Sequence, residues 1–220
     1  MNPPSLRIAD LPTTIHLLPL GPFLLLPGSS LPITLTDLWS RGIVDAALAG
    51  GGWVGVIQPL GEGGFYTVGC LGHVIDLGRD GEGQRVVLEG LLRFRVRREL
   101  PPEGREGFPL AEVDYGEFAR DLADGLPGGE PETGDWDLEA IKEKIVEFGR
   151  RQFGTAGILE SMSPRQVVLF MAQTAPFSAA EKQALLEATN LRELVDLLAR
   201  LLSLNYTTTT PDTSPPSLVN

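Results

Sequence analysis

The sequence predicts an α+β protein: a small closed or nearly closed β-barrel with one inserted helix, followed by a helical bundle. Three observations carry this. Short apolar runs bounded by glycine and proline fill the first half, and one helical stretch interrupts them after Thr36. Beyond Tyr115 the apolar period changes from two toward 3.6.

The strand-like runs come first. Ile15 to Leu18, Phe23 to Leu26, Trp53 to Gln58 and Phe65 to Leu77 are each punctuated by Pro or Gly, and Phe108 to Tyr115 supplies one more. Arg79-Asp80-Gly81-Glu82-Gly83 separates Phe65–Leu77 from Gln84–Arg98, and Asp-Gly between two such runs is a hairpin signal. Arg93-Phe94-Arg95-Val96-Arg97 alternates strictly, so Phe94 and Val96 are expected on a core and the arginines in water. Gly90 marks a bulge or bend within this run.

The interrupting helix starts at a Thr36 or Asp37 cap, puts Leu38, Ile43, Ala47 and Leu48 roughly on one side, and stops at Gly50-Gly51-Gly52. After Tyr115, Glu117–Asp124 reads as a short helix and Gly125–Gly134 as a mobile Gly/Pro/Glu-rich loop. Asp137–Gln152 is a helix with Leu138, Ile141, Ile145 and Phe148 on one stripe. Ser163, Ser178 and Asn190 each precede Gln or Glu by three residues, the signature of a reciprocal cap, so three more helices begin there. The reading divides the chain into a barrel at 14–116, a helical part with an acidic loop at 117–204, and a disordered Thr/Pro/Ser-rich tail at 205–220.

Charge and cysteine content narrow the function classes. The net charge of −11 is local, because Glu99–Glu139 holds thirteen acidic residues against Arg105 and Arg120. No basic surface of the kind phosphate backbones need is present, which speaks against a nucleic-acid partner. The single Cys70 cannot form an intramolecular disulfide, and proline and glycine break the Leu-rich stretch near the N-terminus. No apolar window reaches the length of a membrane-spanning helix, so a cytoplasmic protein is expected.

Several segments in order resemble one family. Leu18-Pro19-Leu20, Phe23-Leu24-Leu25-Leu26-Pro27-Gly28 and Leu31-Pro32-Ile33 are similar to the opening of the N-terminal domain of the Lon (La) proteases. Trp53-Val54-Gly55-Val56-Ile57, Val68-Gly69-Cys70, Gly90-Leu91-Leu92-Arg93-Phe94-Arg95-Val96 and Glu181-Lys182-Gln183-Ala184-Leu185-Leu186-Glu187 resemble successive later motifs of that domain, over roughly Thr14 to Leu204. The resemblance implies a PUA-like barrel ahead of a helical bundle, in a stand-alone copy of a module that recognises unfolded segments of substrates. Thr34 to Arg41 departs from the family's usual continuation, so a contact made there does not carry over.

The chemistry of the full-length family is not visible. No Gly-x-x-x-x-Gly-Lys-Ser/Thr loop occurs to surround a nucleotide phosphate. The lysines are Lys142, Lys144 and Lys182, all expected on charged, solvated helix faces, whereas a Ser-Lys dyad needs a desolvated lysine. His16 and His73 have no Cys or His at metal-ligand spacing, and Cys70 reads as a small buried hydrophobe; neither a metal nor another cofactor is expected. The expected function is a non-enzymatic module that binds unfolded polypeptide or a protein partner, with Trp39, Trp53, Phe65 and Tyr66 as contact candidates because aromatics give much area for little rotamer entropy. For these four, core packing is the plainer reading. The alternative is an RNA-binding PUA-like module in which Arg93, Arg95 and Arg97, with Arg98, bind an anion. For the arginines the plainer reading is a solvated strand face paired with nearby carboxylates.

Overall fold

The computed structural model describes residues 6–21, 23–61, 63–81, 83–103, 107–124, 138–153 and 157–207. Strands β1 (Thr14–Pro19) and β2 (Ser30–Leu35) precede helix α1 (Leu38–Ala49). They are followed by β3 (Trp53–Leu60), β4 (Gly64–Asp80), β5 (Gly83–Glu103) and β6 (Phe108–Asp114). The sheet runs β2-β5-β4-β3-β1-β6, and β6 pairs with β5 as well, so the ladder β5-β4-β3-β1-β6 returns to its start. β1 and β3 are parallel, which a hairpin cannot connect; the excursion through β2 and α1 supplies the crossover.

Strand alternation splits the apolar residues into two clusters. Ile15, Leu17, Ile57, Leu71, Leu92, Phe94, Ala111 and Val113 pack together on the face enclosed by the five strands. Their sequence neighbours Leu18, Val56 and Cys70 point the other way, into a larger cluster completed by the helices. Phe94 fills the enclosed side. A Cβ at Gly69 would lie 2.4 Å from Phe94 Cζ and 2.7 Å from the Val56 carbonyl oxygen, and one at Gly55 would lie 2.9 Å from the same ring. Glycine at these positions is therefore the space that the ring occupies.

The Phe23–Leu26 run is not a strand, contrary to the expectation from its sequence, whereas Ser30–Leu35 is one. Leu24, Leu25 and Leu26 are fully buried but make no ladder. The chain turns at Gly28, which has a positive φ of 71°, and straps Gly90 by Gly28 N–H to Gly90 O and Gly90 N–H to Ser29 O, both at 2.8 Å. A Cβ on Gly90 would sit 2.2 Å from the Leu26 carbonyl oxygen. As expected, the ladder shifts here: Leu71 faces Leu92 while Gly72 faces Gly90, leaving Leu91 as the extra residue. Pro32 hid β2 from the sequence reading. It is tolerated because β2 is the edge of the sheet, where a missing N–H breaks no ladder bond.

The helical half is α2 (Ala119–Asp124), α3 (Leu138–Phe153), α4 (Gly157–Ser161), α5 (Pro164–Thr174), α6 (Ala179–Glu187) and α7 (Leu191–Thr207). The caps are those that the sequence announces. Asp37 Oδ1 accepts from Ser40 N–H, Ser163 and Ser178 form reciprocal boxes with Gln166 and Glu181, and Asn190 Oδ1 accepts from Glu193 N–H. Glu193 departs from the box: its carboxylate takes the Thr189 N–H and hydroxyl instead. α4 has no counterpart in the sequence reading. The 125–134 loop, and the tail from residue 208, lie outside the described residues; positions 205–207 continue α7.

Replacing Gly69 by Ala is expected to destabilise the fold by about 1–3 kcal/mol, since neither the Phe94 ring nor the Val56 carbonyl can retreat. Pairing it with Phe94→Leu should cost less than the sum of the two single changes in denaturant titrations, because the smaller side chain vacates the contested space.

Candidate functional site

Arg93 is buried, not solvated as the alternation of its strand suggested. It is 4% exposed, on the β5 face that the helices cover. Its Nε and Nη2 donate to the two Asp121 carboxylate oxygens at 2.7 and 2.8 Å, and its Nη1 donates to the carbonyls of Leu186 and Ala188 at 3.1 and 2.7 Å. The Arg93 main-chain N–H also reaches Asp121, and the guanidinium lies 4.7 Å from the Phe118 ring centroid. One side chain thus ties β5 to α2 and to the end of α6. Strand alternation places a residue on a face but does not say whether a helix covers that face.

The remaining arginines of the row, Arg95 half-buried and Arg97 and Arg98 exposed, are matched to carboxylates. Arg95 pairs with Glu117, Arg97 with Asp114 and Arg98 with Glu112. The Arg95 hydrogen bond holds the Glu117 carboxyl below its ordinary range. Asp114 is lowered first by the Gly116 N–H and then by Arg97. The structure therefore does not gather the row into a free anion-binding surface.

Lys182 corrects a second expectation. It is fully buried, and its Nζ donates to the carbonyls of Gln173 and Ala175 at 2.9 and 3.0 Å, closing the C-terminal end of α5. Desolvation pushes its ammonium down to about 8. The signal was in the spacing: Lys182 stands three and four residues before Leu185 and Leu186, so it shares their apolar face. The lowered value is what a catalytic lysine needs, but its two partners are carbonyls with no proton to give up. Cys70 is buried as expected, and burial pushes its thiol well above the ordinary range.

The four aromatic candidates are not brought together. Trp53 starts β3 and packs on His73, ring centroids 4.5 Å apart, while Phe65 and Tyr66 start β4. Because Trp53 pairs with His73 and Pro59 with Phe65, Trp53 and the Phe65-Tyr66 pair occupy opposite ends of the β3–β4 hairpin. Trp39, 39% exposed, lies near the start of α1, at the far end of that helix from Trp53.

Phe65 and Tyr66, both half-buried, do have apolar company that the sequence reading missed. Leu60 and Phe23 are 44% and 36% exposed. Leu60 faces Gly64 across the hairpin, and Gln58 Nε2 donates to the carbonyls of Leu20 and Phe23 at 3.1 and 2.7 Å, holding both residues against the end of β3. Phe23, Leu60, Phe65 and Tyr66 thus lie at one apolar rim of the sheet without sharing a face: Phe65 packs on the enclosed cluster and Tyr66, next in the strand, points the other way. Its signal was the break at Pro59 to Gly64, which places apolar side chains at a strand end where the ladder cannot bury them.

Among the described residues no helix is long and apolar enough to cross a membrane. The family model described as the ATP-dependent protease La (LON) substrate-binding domain matches residues 14–203. A Lon protease of Salinispora arenicola (strain CNS-205) is 35% identical over 115 residues, which is 50% of this chain and 15% of that protein, so the chain matches a small part of the relative's length. Two solved structures are similar in fold. The N-terminal domain of a Mycobacterium avium complex Lon protease has a TM-score of 0.56 and 20% identity, over 86% of this chain and 98% of that one. A Lon N-terminal domain protein from Xanthomonas campestris has a TM-score of 0.53 and 22% identity, over 85% and 98% respectively.

Two outcomes follow from the buried groups. Replacing Arg93 by Met, or Asp121 by Asn, should each destabilise by about 3–5 kcal/mol, because either change strands a buried charge; the double change Arg93→Met with Asp121→Leu should recover much of that loss in thermal or urea unfolding. For Lys182 the folded value of about 8 lies below the ordinary 10.5, so between them the unfolded chain holds more protons than the folded one. The cost of burying the charged ammonium is complete below pH 8 and is relieved as pH rises toward 10.5. Wild-type stability should therefore rise across that window relative to Lys182→Met, as read by urea midpoints at matched pH.

Proposed function

Since the chain belongs to the Lon substrate-binding domain family by a match over residues 14–203, we propose that it is a non-enzymatic polypeptide-recognition module. The observation that carries this is the exposure of Phe23 and Leu60 on the apolar rim that also holds Phe65 and Tyr66, with the buried Gln58 fixing the Leu20 and Phe23 carbonyls beside it. An unfolded segment offers apolar side chains and unpaired amides. A rim of large apolar groups on a rigid sheet end gains from covering the former and loses little entropy in doing so.

The strand ring that closes through β5 and β6 fits a PUA-like barrel, and the helices that cover its outer face fit a bundle docked on it. In this reading the barrel is a stiff support and the loops at its end make contact. The absence of a phosphate-binding Gly-Lys loop from the sequence, together with the capped state of Lys182, supports a role in binding without ATP hydrolysis or peptide cleavage. A cytoplasmic setting is part of the same proposal. Nothing in the arginine row favours the RNA-binding alternative, because Arg95, Arg97 and Arg98 each face a carboxylate.

Binding of a reduced, alkylated and permanently unfolded polypeptide is expected at micromolar concentration, measured by anisotropy or interferometry. Leu60→Glu and Phe23→Glu should each weaken it about tenfold while leaving the thermal transition in place, since both side chains are already partly in water. Unchanged affinity in both variants would remove the rim from the proposal. Peptidase or nucleotidase activity in the pure protein would contradict the non-enzymatic reading.

A further inference from the structure

Every other strand of the sheet pairs on both sides, whereas β2 has β5 as its single neighbour and leaves one edge open. Which of its groups face outward follows from β5. Gly90 donates its N–H to Ser29 O and accepts the Gly28 N–H on its carbonyl, so its main chain points to the β2 side. Since β2 and β5 stay in unbroken register, Leu88, Val86 and Gln84 point the same way and bond with Leu31, Ile33 and Leu35. Ser30, Pro32 and Thr34 therefore turn their main-chain groups away from the sheet, and all three residues are exposed. Among the described residues these groups meet no partner. Pro32 has no N–H, so the edge offers three carbonyls and only two donors.

The charge beside this edge is negative. On its exposed face Glu89 stands across from Ser30, and Arg85 across from Thr34. Arg85 is matched by Asp76 at 2.7 Å, while Asp80 accepts the Thr34 hydroxyl at 3.2 Å and keeps its charge. Beyond Glu89 the row continues to His73, whose Nε2 meets the Gly51 carbonyl at 3.2 Å. Glu89 and Asp80 are thus carboxylates in excess on this face. On the α1 side Asp37 and Asp45 offset Arg41 and Arg79, so the excess is not cancelled from there.

We propose that the β2 edge takes up an extended, basic segment of polypeptide as an added strand. Extended chain brings N–H and C=O groups at the two-residue repeat of the edge, whereas a helix spends its own internally. The segment donates at three alternate residues, to the carbonyls of Ser30, Pro32 and Thr34, and accepts from the N–H groups of Ser30 and Thr34. A lysine or arginine placed beside Ser30 reaches Glu89, because the added strand and β5 lie two ladder spacings, about 10 Å, apart and the small Ser30 side chain leaves the space between them open. A second copy of this chain fits less well. Its own β2 brings the same carboxylates, and a pairing centred on Pro32 sets two carbonyls against each other with no donor between them. The inference rests on the polypeptide-recognition reading above and gives it a second contact, made by main chain instead of apolar side chains.

The test uses a fluorescein-labelled octapeptide of alternating valine and threonine with one central lysine, in anisotropy titrations against the intact protein. N-methyl groups placed on one amide at a time are expected to weaken binding about tenfold at alternate residues and little at those between. Exchanging the lysine for glutamate should weaken it by a similar factor, and Glu89→Gln should abolish most of that preference. Pro32→Val supplies the missing donor and should tighten binding about threefold or more. Pro32 and Glu89 are exposed, so both variants should keep the thermal transition of the wild type. Phe23→Glu and Leu60→Glu should leave octapeptide binding unchanged. N-methyl losses without alternation, a lysine preference that survives Glu89→Gln, or no gain from Pro32→Val would each overturn the proposal. So would a wild-type dimer, seen by sedimentation, that the octapeptide dissociates, because the edge then belongs to a second copy. If reduced, alkylated polypeptide is retained while the octapeptide shows none of these dependences, this inference falls and the broader reading stands; if neither ligand binds, both fall.

Discussion

The architecture depends on the buried guanidinium of Arg93. It leaves β5 on the face away from Phe94 and meets a carboxylate from α2 and two carbonyls at the end of α6. A lone arginine there would be ruinous in a low-dielectric interior. With four N–H groups committed at 2.7 to 3.1 Å and an aromatic ring beneath, it becomes a joint of fixed geometry. Apolar contacts alone would let helices slide on a sheet; a forked donor matched to four placed acceptor contacts accepts one arrangement.

The same strand serves both sides of the molecule. Arg93 binds the helices while Phe94, the next residue, fills the enclosed side against Gly55 and Gly69. The strand ring is thus pinned from within by an aromatic plug and from without by an ion pair. The loops at its ends inherit that rigidity. Gln58, buried in β3, holds Leu20 and Phe23 in the way that Gly90 holds the 26–29 turn, by bonds to main-chain groups that would otherwise need water.

Buried polar side chains do structural work throughout. Lys182 closes the end of α5 onto α6, Gln183 donates to the Val68 carbonyl across the sheet–helix interface, and Gln173 reaches the Ser29 hydroxyl on the strap. Each gives a buried acceptor a partner where burial would otherwise leave it unpaired. A lysine with a lowered pKa is a familiar mark of catalysis. Here its surroundings hold two acceptors and supply no nucleophile among its hydrogen-bond partners, so the perturbation reports burial.

Local chemistry sufficed for much of the fold. The caps at Asp37, Ser163, Ser178 and Asn190, the glycine stop at Gly50, the Asp80-Gly81 hairpin and the inward face of Phe94 are all set by groups within a few residues of one another, and the chain shows them directly. Tertiary structure decided what lies opposite each face. Period and alternation give the direction of a side chain but not the identity of what meets it, so Arg93 and Lys182 read as solvated until α2 and α6, and α5, covered them. The Leu24–Leu26 run had the composition of a strand and the burial of one, yet ladder pairing is a relation between distant segments, and Gly90 gave its backbone partners to Gly28 and Ser29. Phe23, Leu60, Phe65 and Tyr66 come to one rim only because the sheet brings separated turns side by side, a juxtaposition that no local pattern encodes.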